Sequence, residues 1–340
     1  MLIEEKKQNI YLKGANHLID SLNLKCEDGL IIVSSENNQK FCNYLFKATK
    51  SKNMKNIIFI VIPDSYRPIN YLPKILSDAI TNSKGLVYVS TRKIEEDFTF
   101  NRPLQDLCIK NKVRYVYTWD AKLRYLKEGI AADYQTVDKK TKKIKMILKN
   151  SKEAHITSDI GTDLTFSLYT NNILPRSPIF PKDRFWNQSP EGEAMSCPVE
   201  ETFNGRLVVD GVITGLGEPP TPIVWDFKDG RVVKVGGDKV FLKKLLDRLK
   251  KSDKRLNDLI GMWIAEFSIG TNDWARFDDN ISNCEKVSGG VHFAMGNSEG
   301  LGVDRGETFH FDNIVKTPTV IINQKNDEKF TLIKLGKLMI

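Results

Sequence analysis

The sequence lacks the features that would place it outside the ordinary globular class. Its five cysteines include no Cys-x-x-Cys pair, so neither a zinc ribbon nor a disulfide framework is indicated. No apolar run reaches the roughly 18 residues needed to cross a bilayer. The N-terminus has no apolar stretch after its charges, so it does not predict a signal peptide. These absences favour a cytoplasmic protein with no membrane partner.

Nucleotide-binding fingerprints are also missing. No Gly-x-Gly-x-x-Gly follows a predicted strand, and there is no P-loop. The net charge is +8, and most of the excess lies in residues 138–152 and 243–255. Such basic stretches can contact phosphates, but leucines recur at helical spacing across the second one. Solvated helix faces are therefore favoured, and no nucleic-acid partner is expected.

The first half of the chain alternates apolar runs with helical patterns, including helices at about 71–83 and 103–111. The run NIIFIVIPD, with its β-branched residues, is typical of a strand buried on both faces. Repeated βα units predict an α/β class domain, a Rossmann-like doubly wound parallel sheet over residues 1–150. The predicted strands lie at 29–36, 56–64, 85–92 and 113–119.

Residues 151–340 show a different pattern and are predicted to form an α+β domain with a largely antiparallel, barrel-like sheet. Glycine-containing turns between apolar runs predict hairpins. A long helix at about 239–260 and a strand region at 319–336 follow. The hairpins are predicted at 155–169, 206–217 and 222–237.

The histidines indicate a metal site. Only four occur in the sequence, and two of them, His292 and His310, lie in one glycine-dense segment. His310 and Asp312 form a His-x-Asp triplet, and on a strand residues i and i+2 project from the same face. Their imidazole and carboxylate are both good ligands for zinc, manganese or iron. His292 can add a third ligand from a neighbouring strand, although a lone His-x-Asp is more often a simple hydrogen-bonded pair.

Two glutamates strengthen the metal hypothesis. Glu193 lies in a polar segment bounded by proline and glycine, and Glu266 lies in the otherwise apolar run MWIAEFSIGTN. A carboxylate in an apolar setting is costly unless it is paired, hydrogen-bonded or bound to a metal, so a buried salt bridge is the alternative. These ligand types suit a two-metal hydrolytic site. Two histidines and one carboxylate also match the iron-binding triad of non-haem oxygenases, so both chemistries stay open.

Six segments then occur in a characteristic order. Together they resemble the thermophilic-type metallo-aminopeptidase family, the aminopeptidase T or leucyl aminopeptidase T group, over roughly residues 150–325. The superfamily also includes 2,5-dihydroxypyridine 5,6-dioxygenases, which are shorter chains with a single ferrous ion. The segments are GTDLTF, PEGEAMSCPVEETFNGRLVVDG, FKDGRVVKV, IAEFSIGTN, EKVSGGVHFAMGN and HFD.

The resemblance implies a set of metal ligands: Glu193, Glu266, His292, His310 and Asp312. It also implies that Glu193 and Glu266 are the catalytic residues, one of them bridging two ions. The ions would be zinc or cobalt, and the activity would be that of a hydrolase, a metalloprotease removing N-terminal amino acids from peptides through a metal-activated water.

The resemblance leaves two alternatives: an Fe(II) ring-cleaving dioxygenase of the dihydroxypyridine type, and a member repurposed for binding or peptide tailoring. Family members are dimers, so a homodimer with a peptide or small-molecule substrate is expected. The sequence departs from the peptidases at one position. They carry a tyrosine seven residues beyond the first histidine, and Glu299 stands there in this chain.

Overall fold

The computed structural model describes residues 2–340, without the side chains of residues 2–8, Ile94 and Phe98. The chain forms two compact units, Met1–Gln135 with Ser177–Glu191, and Thr136–Arg176 with Gly192–Ile340. The boundary predicted at residue 150 stays a prediction of domain organisation. Within residues 2–340, no helix combines the length and apolarity that a membrane span requires.

The helices and strands of the described residues are numbered in chain order. The helices are α1 (Leu2–Ser21), α2 (Gln39–Ser51), α3 (Lys74–Thr81), α4 (Arg102–Lys110), α5 (Tyr134–Lys149), α6 (Lys239–Ser252) and α7 (Ile281–Cys284). The strands are β1 (Gly29–Ser35), β2 (Asn56–Ile62), β3 (Gly85–Ser90), β4 (Arg114–Trp119), β5 (Ser151–Thr157), β6 (Asp163–Phe166), β7 (Leu174–Arg176), β8 (Trp186–Gln188), β9 (Glu193–Ser196), β10 (Asn204–Val209), β11 (Ile223–Lys228), β12 (Arg231–Gly236), β13 (Ile264–Gly270), β14 (Val291–Gly296), β15 (His310–Val315), β16 (Thr319–Gln324), β17 (Lys329–Lys334) and β18 (Lys337–Leu338).

The first unit is built on a parallel sheet with the strand order β2-β1-β3-β4-β8. Alternate residues of β1 enter two separate cores, because successive side chains of a strand point to opposite faces. Leu30 and Ile32 pack with α1 and α2, whereas Ile31 and Val33 pack with α3 and α4. Helices therefore cover both faces, and the predicted doubly wound sheet with its four βα strands is confirmed.

Strand β2 differs from its prediction. It lies at an edge of the parallel sheet, with β1 as its only strand neighbour among the described residues. Ile58, Phe59 and Val61 are 45%, 38% and 38% exposed. The expectation of a strand buried on both faces was therefore wrong. A β-branched apolar run indicates a strand, but burial depends on the strand's place in the sheet.

The second unit contains two antiparallel sheets. One has eight strands in the order β12-β11-β10-β6-β5-β16-β17-β18, and the other has five in the order β15-β14-β13-β9-β7. Both contribute to one large hydrophobic core, which also buries Ile144 of α5 and Leu245 of α6. The lysines of α6 lie mainly on its exposed side. The predicted α+β character of this part of the chain is confirmed.

Two of the three predicted hairpins form. β5 pairs with β6, and β11 pairs with β12 across Asp229 and Gly230, which both have positive φ as a tight hairpin turn requires. The prediction of a hairpin at 206–217 was wrong, because β10 pairs with β6 and β11 instead. Helix α6 ends at Ser252 rather than near 260; beyond it Leu259 still reaches the core, but from non-helical chain.

Candidate metal centre

The five predicted ligands lie on four adjacent strands of the five-stranded antiparallel sheet. Glu193 opens β9, Glu266 is the third residue of β13, His292 the second of β14, and His310 and Asp312 lie on β15. In the strand order β15-β14-β13-β9, each of these strands is hydrogen-bonded to the next. Residues far apart in the sequence are thereby brought to one short stretch of sheet.

The strand register places all five side chains on the same face. Ala294 of β14 is opposite both Glu266 and Asp312, so these two carboxylates lie in one row. His292 is opposite Ser268, which follows Glu266 by two positions and so shares its face. Glu193 is opposite Gly270, two positions further along β13.

The opposite face of the same strands is apolar. Phe267, Phe293 and Phe311 alternate with the polar residues and enter the large core. Small residues on the polar face, such as Ala294, leave room for the charged side chains above them. The alternation of apolar and polar residues therefore both anchors the sheet and gathers the polar groups over one area.

Glu266 occupies the middle of the cluster, and its two oxygens face different partners. Its Oε1 is 3.1 Å from Nε2 of His292, and its Oε2 is 3.8 Å from Nε2 of His310. His310 Nε2 is also 3.2 Å from Oδ1 of Asp312. His292 Nε2 is 3.6 Å from Oε2 of Glu193. The carboxylate of Glu266 therefore separates a His292–Glu193 side from a His310–Asp312 side.

Two neighbours fix the His310–Asp312 side. The Nδ1 of His310 is 2.7 Å from the carbonyl oxygen of Asn297, so it carries the proton and leaves Nε2 directed at Asp312. The hydroxyl of Thr214 donates to Oδ2 of Asp312 at 2.9 Å and accepts from its backbone N–H at 2.8 Å. Outer partners of this kind orient metal ligands in known metal sites.

A buried lysine lies on the His292–Glu193 side of the cluster. Lys286, which is 2% exposed, forms an ion pair with Oε1 of Glu193 and another with Glu285 at 3.2 Å. The hydroxyl of Ser268 donates to Oε2 of Glu193 at 3.2 Å. No sequence pattern singled out Glu285, Lys286, Ser268 or Thr214. Glu285 and Lys286 do lie in the segment EKVSGGVHFAMGN and Ser268 in IAEFSIGTN, and membership of these two segments was the signal available.

Excess negative charge shifts the pKa of both histidines. Burial alone lowers the pKa of His292, but the hydrogen bond to Glu266 and the nearby carboxylates outweigh burial and raise it to about 9. The negative charges of Asp312 and Glu266 likewise outweigh the effect of burial on His310 and raise its pKa to about 10. Burial also raises the pKa of Glu285 to about 7, against the opposing charge of Lys286.

These charges fit a cation site. The cluster contains four carboxylates and one ammonium, and its formal charge is −3 when both imidazoles are neutral. The carboxylates are those of Glu193, Glu266, Glu285 and Asp312, and the ammonium is that of Lys286. Buried charge of one sign is costly unless it is compensated, so the cluster must take up protons or metal ions. Ligand atoms of three residues also lie within 4.8 Å of one another, close enough to share one ion: Glu266, His310 and Asp312.

The structure thus brings the five predicted ligands together, and their role as ligands stays a prediction. The other two histidines lie elsewhere. His17 contacts the carbonyl of Ala132 in the first unit, and His155 pairs with Asp163 at 2.8 Å on the eight-stranded sheet. Glu299, at the position of the peptidase tyrosine, lies in a 3-10 turn with its side chain exposed.

The chain belongs to the NicX family, the 2,5-dihydroxypyridine 5,6-dioxygenases, whose family model matches residues 100–329. No curated protein sequence matches it. The suspected relationship to this superfamily is therefore confirmed, and the protein is a member of an enzyme family.

Two solved structures share the fold. The 2,5-dihydroxypyridine dioxygenase from Pseudomonas putida KT2440 is 16% identical, with a TM-score of 0.67 over 97% of this chain and 96% of that one. Wild-type AmpT from Thermus thermophilus is 14% identical, with a TM-score of 0.67 over 97% of this chain and 99% of that one. At these identities the likeness establishes the fold and does not choose between the two chemistries.

Proposed function

We propose that the chain is a metal-dependent hydrolase of the aminopeptidase type, with two divalent ions sharing Glu266. The observation that carries this proposal is the position of that carboxylate, whose Oε1 faces His292 and whose Oε2 faces His310. Glu193 completes the first side and Asp312 the second. A carboxylate between two ligand sets is the arrangement of two-metal hydrolytic centres.

The ligand types support the same choice. The iron-binding triad of non-haem oxygenases has two histidines and one carboxylate. Here Glu266 lies between the two imidazoles, and a further carboxylate lies on each side of it, Glu193 beside His292 and Asp312 beside His310. A single iron held by two histidines and one carboxylate has less need of the two glutamates, so their presence favours two ions that act as Lewis acids.

Divalent ions bound at this cluster would polarise a scissile carbonyl and make a water more acidic. The protein's own residues perform the remaining tasks. Thr214 holds Asp312 in place, and Lys286 and Ser268 hold Glu193. Glu285, whose pKa is raised to about 7 by burial, can take up or release a proton near neutrality. The excess of carboxylates also attracts a substrate with a free amino terminus.

A second candidate is an Fe(II) ring-cleaving dioxygenase, and one contact favours it in addition to the family match. The ammonium of Lys286 already neutralises Glu193. If Glu193 keeps this partner, the two histidines and Asp312, with Glu266 between the imidazoles, are left to bind one ion. The protein would then hold a single metal.

Metal content separates the two candidates. The protein is purified without added metal and analysed by mass spectrometry of the bound elements. The hydrolase proposal expects two zinc-type ions per chain, one of them lost in His292→Ala. The dioxygenase expects one iron, which His292→Ala and His310→Ala should each remove because both histidines belong to its triad. His155→Ala is the matched control, because His155 also pairs with an aspartate but lies on another sheet.

Activity provides the second test. Release of nitroaniline from leucyl-p-nitroanilide supports the hydrolase, and oxygen uptake with a dihydroxypyridine supports the dioxygenase. A protein that binds no metal, or whose metal content is unchanged in His310→Ala, contradicts both candidates and leaves the repurposed family member.

A further inference from the structure

We infer that a cavity in the second unit binds a small organic anion through Arg276 and Lys337, at a site separate from the cluster of five predicted ligands. The cavity has a volume of about 380 Å³, within the range of about 300–1,000 Å³ that is usual for small-molecule sites. Its wall comes from α5, from residues 272–276 and 287–288, and from the chain at 336–340, and it includes none of the five predicted ligands. This inference does not depend on the proposed function.

The side chains of the cavity carry an excess of positive charge. Lys140, Arg276 and Lys337 line it, and the single carboxylate side chain among them is that of Asp273. This carboxylate already forms an ion pair with the ammonium of Lys140. Arg276 and Lys337 are therefore the two charges that no side chain of the cavity compensates. A concave surface lined by charge of one sign attracts ligands of the other sign, so the cavity is suited to an anion.

Arg276 is held in place for a two-point contact. Its Nη1 donates to the backbone carbonyl oxygens of Asp273 and Ala275 at 2.6 and 2.7 Å. Its Nε and Nη2 have no hydrogen-bond partner among the described residues. These two nitrogens form the edge of the guanidinium that binds a carboxylate or phosphate through two parallel hydrogen bonds. The bonds from Nη1 fix the group beforehand, which lowers the cost of ordering it when a ligand binds.

The rest of the wall indicates what kind of anion fits. The ammonium of Lys337 and the hydroxyl of Ser288 also lack a hydrogen-bond partner within the described part of the chain, so a ligand can meet three separate donor groups. Val287, Leu338 and Ile340 add apolar surface to the same cavity. An anion with an apolar body uses both kinds of wall, whereas a bare inorganic ion uses only the donors. The expected ligand is therefore an organic carboxylate or phosphate monoester.

A second concave surface shows what an arginine looks like where no anion is expected. It has a volume of about 560 Å³, lies on the eight-stranded sheet and contains Arg206. There Nε and Nη2 already donate to Oδ1 and Oδ2 of Asp226 at 2.7 and 3.3 Å. Asp163 adds a further negative charge to the same surface. The two-point edge is occupied and the charge is negative, so Arg206 is the matched control for Arg276.

Isothermal titration calorimetry of the full chain tests the site with phenyl phosphate, benzoate and inorganic phosphate as probes. At least one of the two organic anions should bind with one site per chain, and phenyl phosphate should bind more tightly than inorganic phosphate. Arg276→Gln should weaken binding by about 10-fold or more, as expected for the loss of hydrogen bonds from a charged group. Lys337→Gln should weaken it less, because an ammonium makes a single-point contact. Arg206→Gln should leave binding unchanged.

An anion could also bind to metal ions at the cluster of predicted ligands, so the titrations are repeated after treatment with a chelator. Binding in the cavity should survive this treatment, and Arg276→Gln should leave the metal content of the protein unaltered. The inference is overturned if neither organic anion binds at millimolar concentration, or if Arg276→Gln and Arg206→Gln have the same effect. Binding that disappears with the metal also overturns it. Far-ultraviolet circular dichroism of each variant shows whether it is folded.

Discussion

Strands β2 and β13 have the same length and the same central residue, yet their environments are opposite. Each has seven residues with phenylalanine in the fourth position, NIIFIVI in β2 and IAEFSIG in β13. All seven residues of β13 are buried, whereas none of β2 is. The more apolar of the two strands is therefore the more exposed one. Hydrophobicity predicts that a strand forms, and the sheet order decides what surrounds it.

The difference also explains where the chemistry lies. β13 has β14 on one side and β9 on the other, so Glu266 is surrounded by side chains of its neighbours. In that position a carboxylate must find partners, and it finds two histidines. On β2 a carboxylate would be solvated and without consequence.

The largest expected effect comes from Glu266→Gln, which tests whether β13 is the metal-binding strand. Loss of an outer partner of a ligand typically costs about 10–100-fold in affinity or activity, and loss of the shared ligand itself should cost more. Metal content and turnover should both collapse. Glu218→Gln is the control, because Glu218 is an exposed glutamate paired with Lys316. Retention of both metal and activity would contradict the proposed site.

Phe59 and Phe267, the fourth residues of β2 and β13, test the difference in burial between the two strands. Phe267→Ala removes a ring from the large core, where it packs against Phe166 and Phe293, and should cost about 3–5 kcal/mol of unfolding free energy. Phe59→Ala removes an exposed ring and should cost no more than about 0.5 kcal/mol in the monomer. Urea denaturation at low protein concentration measures both. Equal costs would show that β2 is buried in the protein in solution.

Thr214→Val tests the support of Asp312. Without the hydroxyl, Asp312 loses a donor to Oδ2 and its backbone N–H loses an acceptor. Metal affinity should fall by about 10–100-fold, and Thr214→Ser should restore most of it because serine keeps the hydroxyl. Competition with a fluorescent chelator gives the affinities. If valine and serine behave alike, the hydroxyl has no part in holding the ligand.

The smallest expected effect is a pH dependence confined to the metal-free protein. The pKa values of His292 and His310 are raised to about 9 and about 10 in the folded state, above the ordinary value of 6.5. Their protonation therefore stabilises the metal-free fold fully below pH 6.5, and this stabilisation is lost as the pH rises through 9 to 10.

Thermal melts from pH 6 to 10 should show this loss in chelator-treated protein. His292→Asn should reduce it, since one of the two groups is removed. A melting temperature that is constant over the range in the metal-free protein would show that the carboxylates around the histidines do not act on them.

Sequence patterns predicted local structure better than spatial order. The βα alternation, the Asp229-Gly230 turn and the shared face of His310 and Asp312 follow from short-range periodicity, and each was predicted correctly. The edge position of β2 and the pairing of β10 with β6 depend on contacts between distant segments, which no local pattern encodes. Lys286 was missed for the same reason, since its partner Glu193 is 93 positions away.

One end of the cluster of five predicted ligands is open to solvent. The side chain of His310 is 38% exposed, whereas those of Glu193, Glu266, His292 and Asp312 are at most 12% exposed. A molecule arriving from solution therefore meets this imidazole first and the four deeper groups only afterwards. Exchange of ions with the solution should therefore pass this imidazole, which shields the four deeper groups from water.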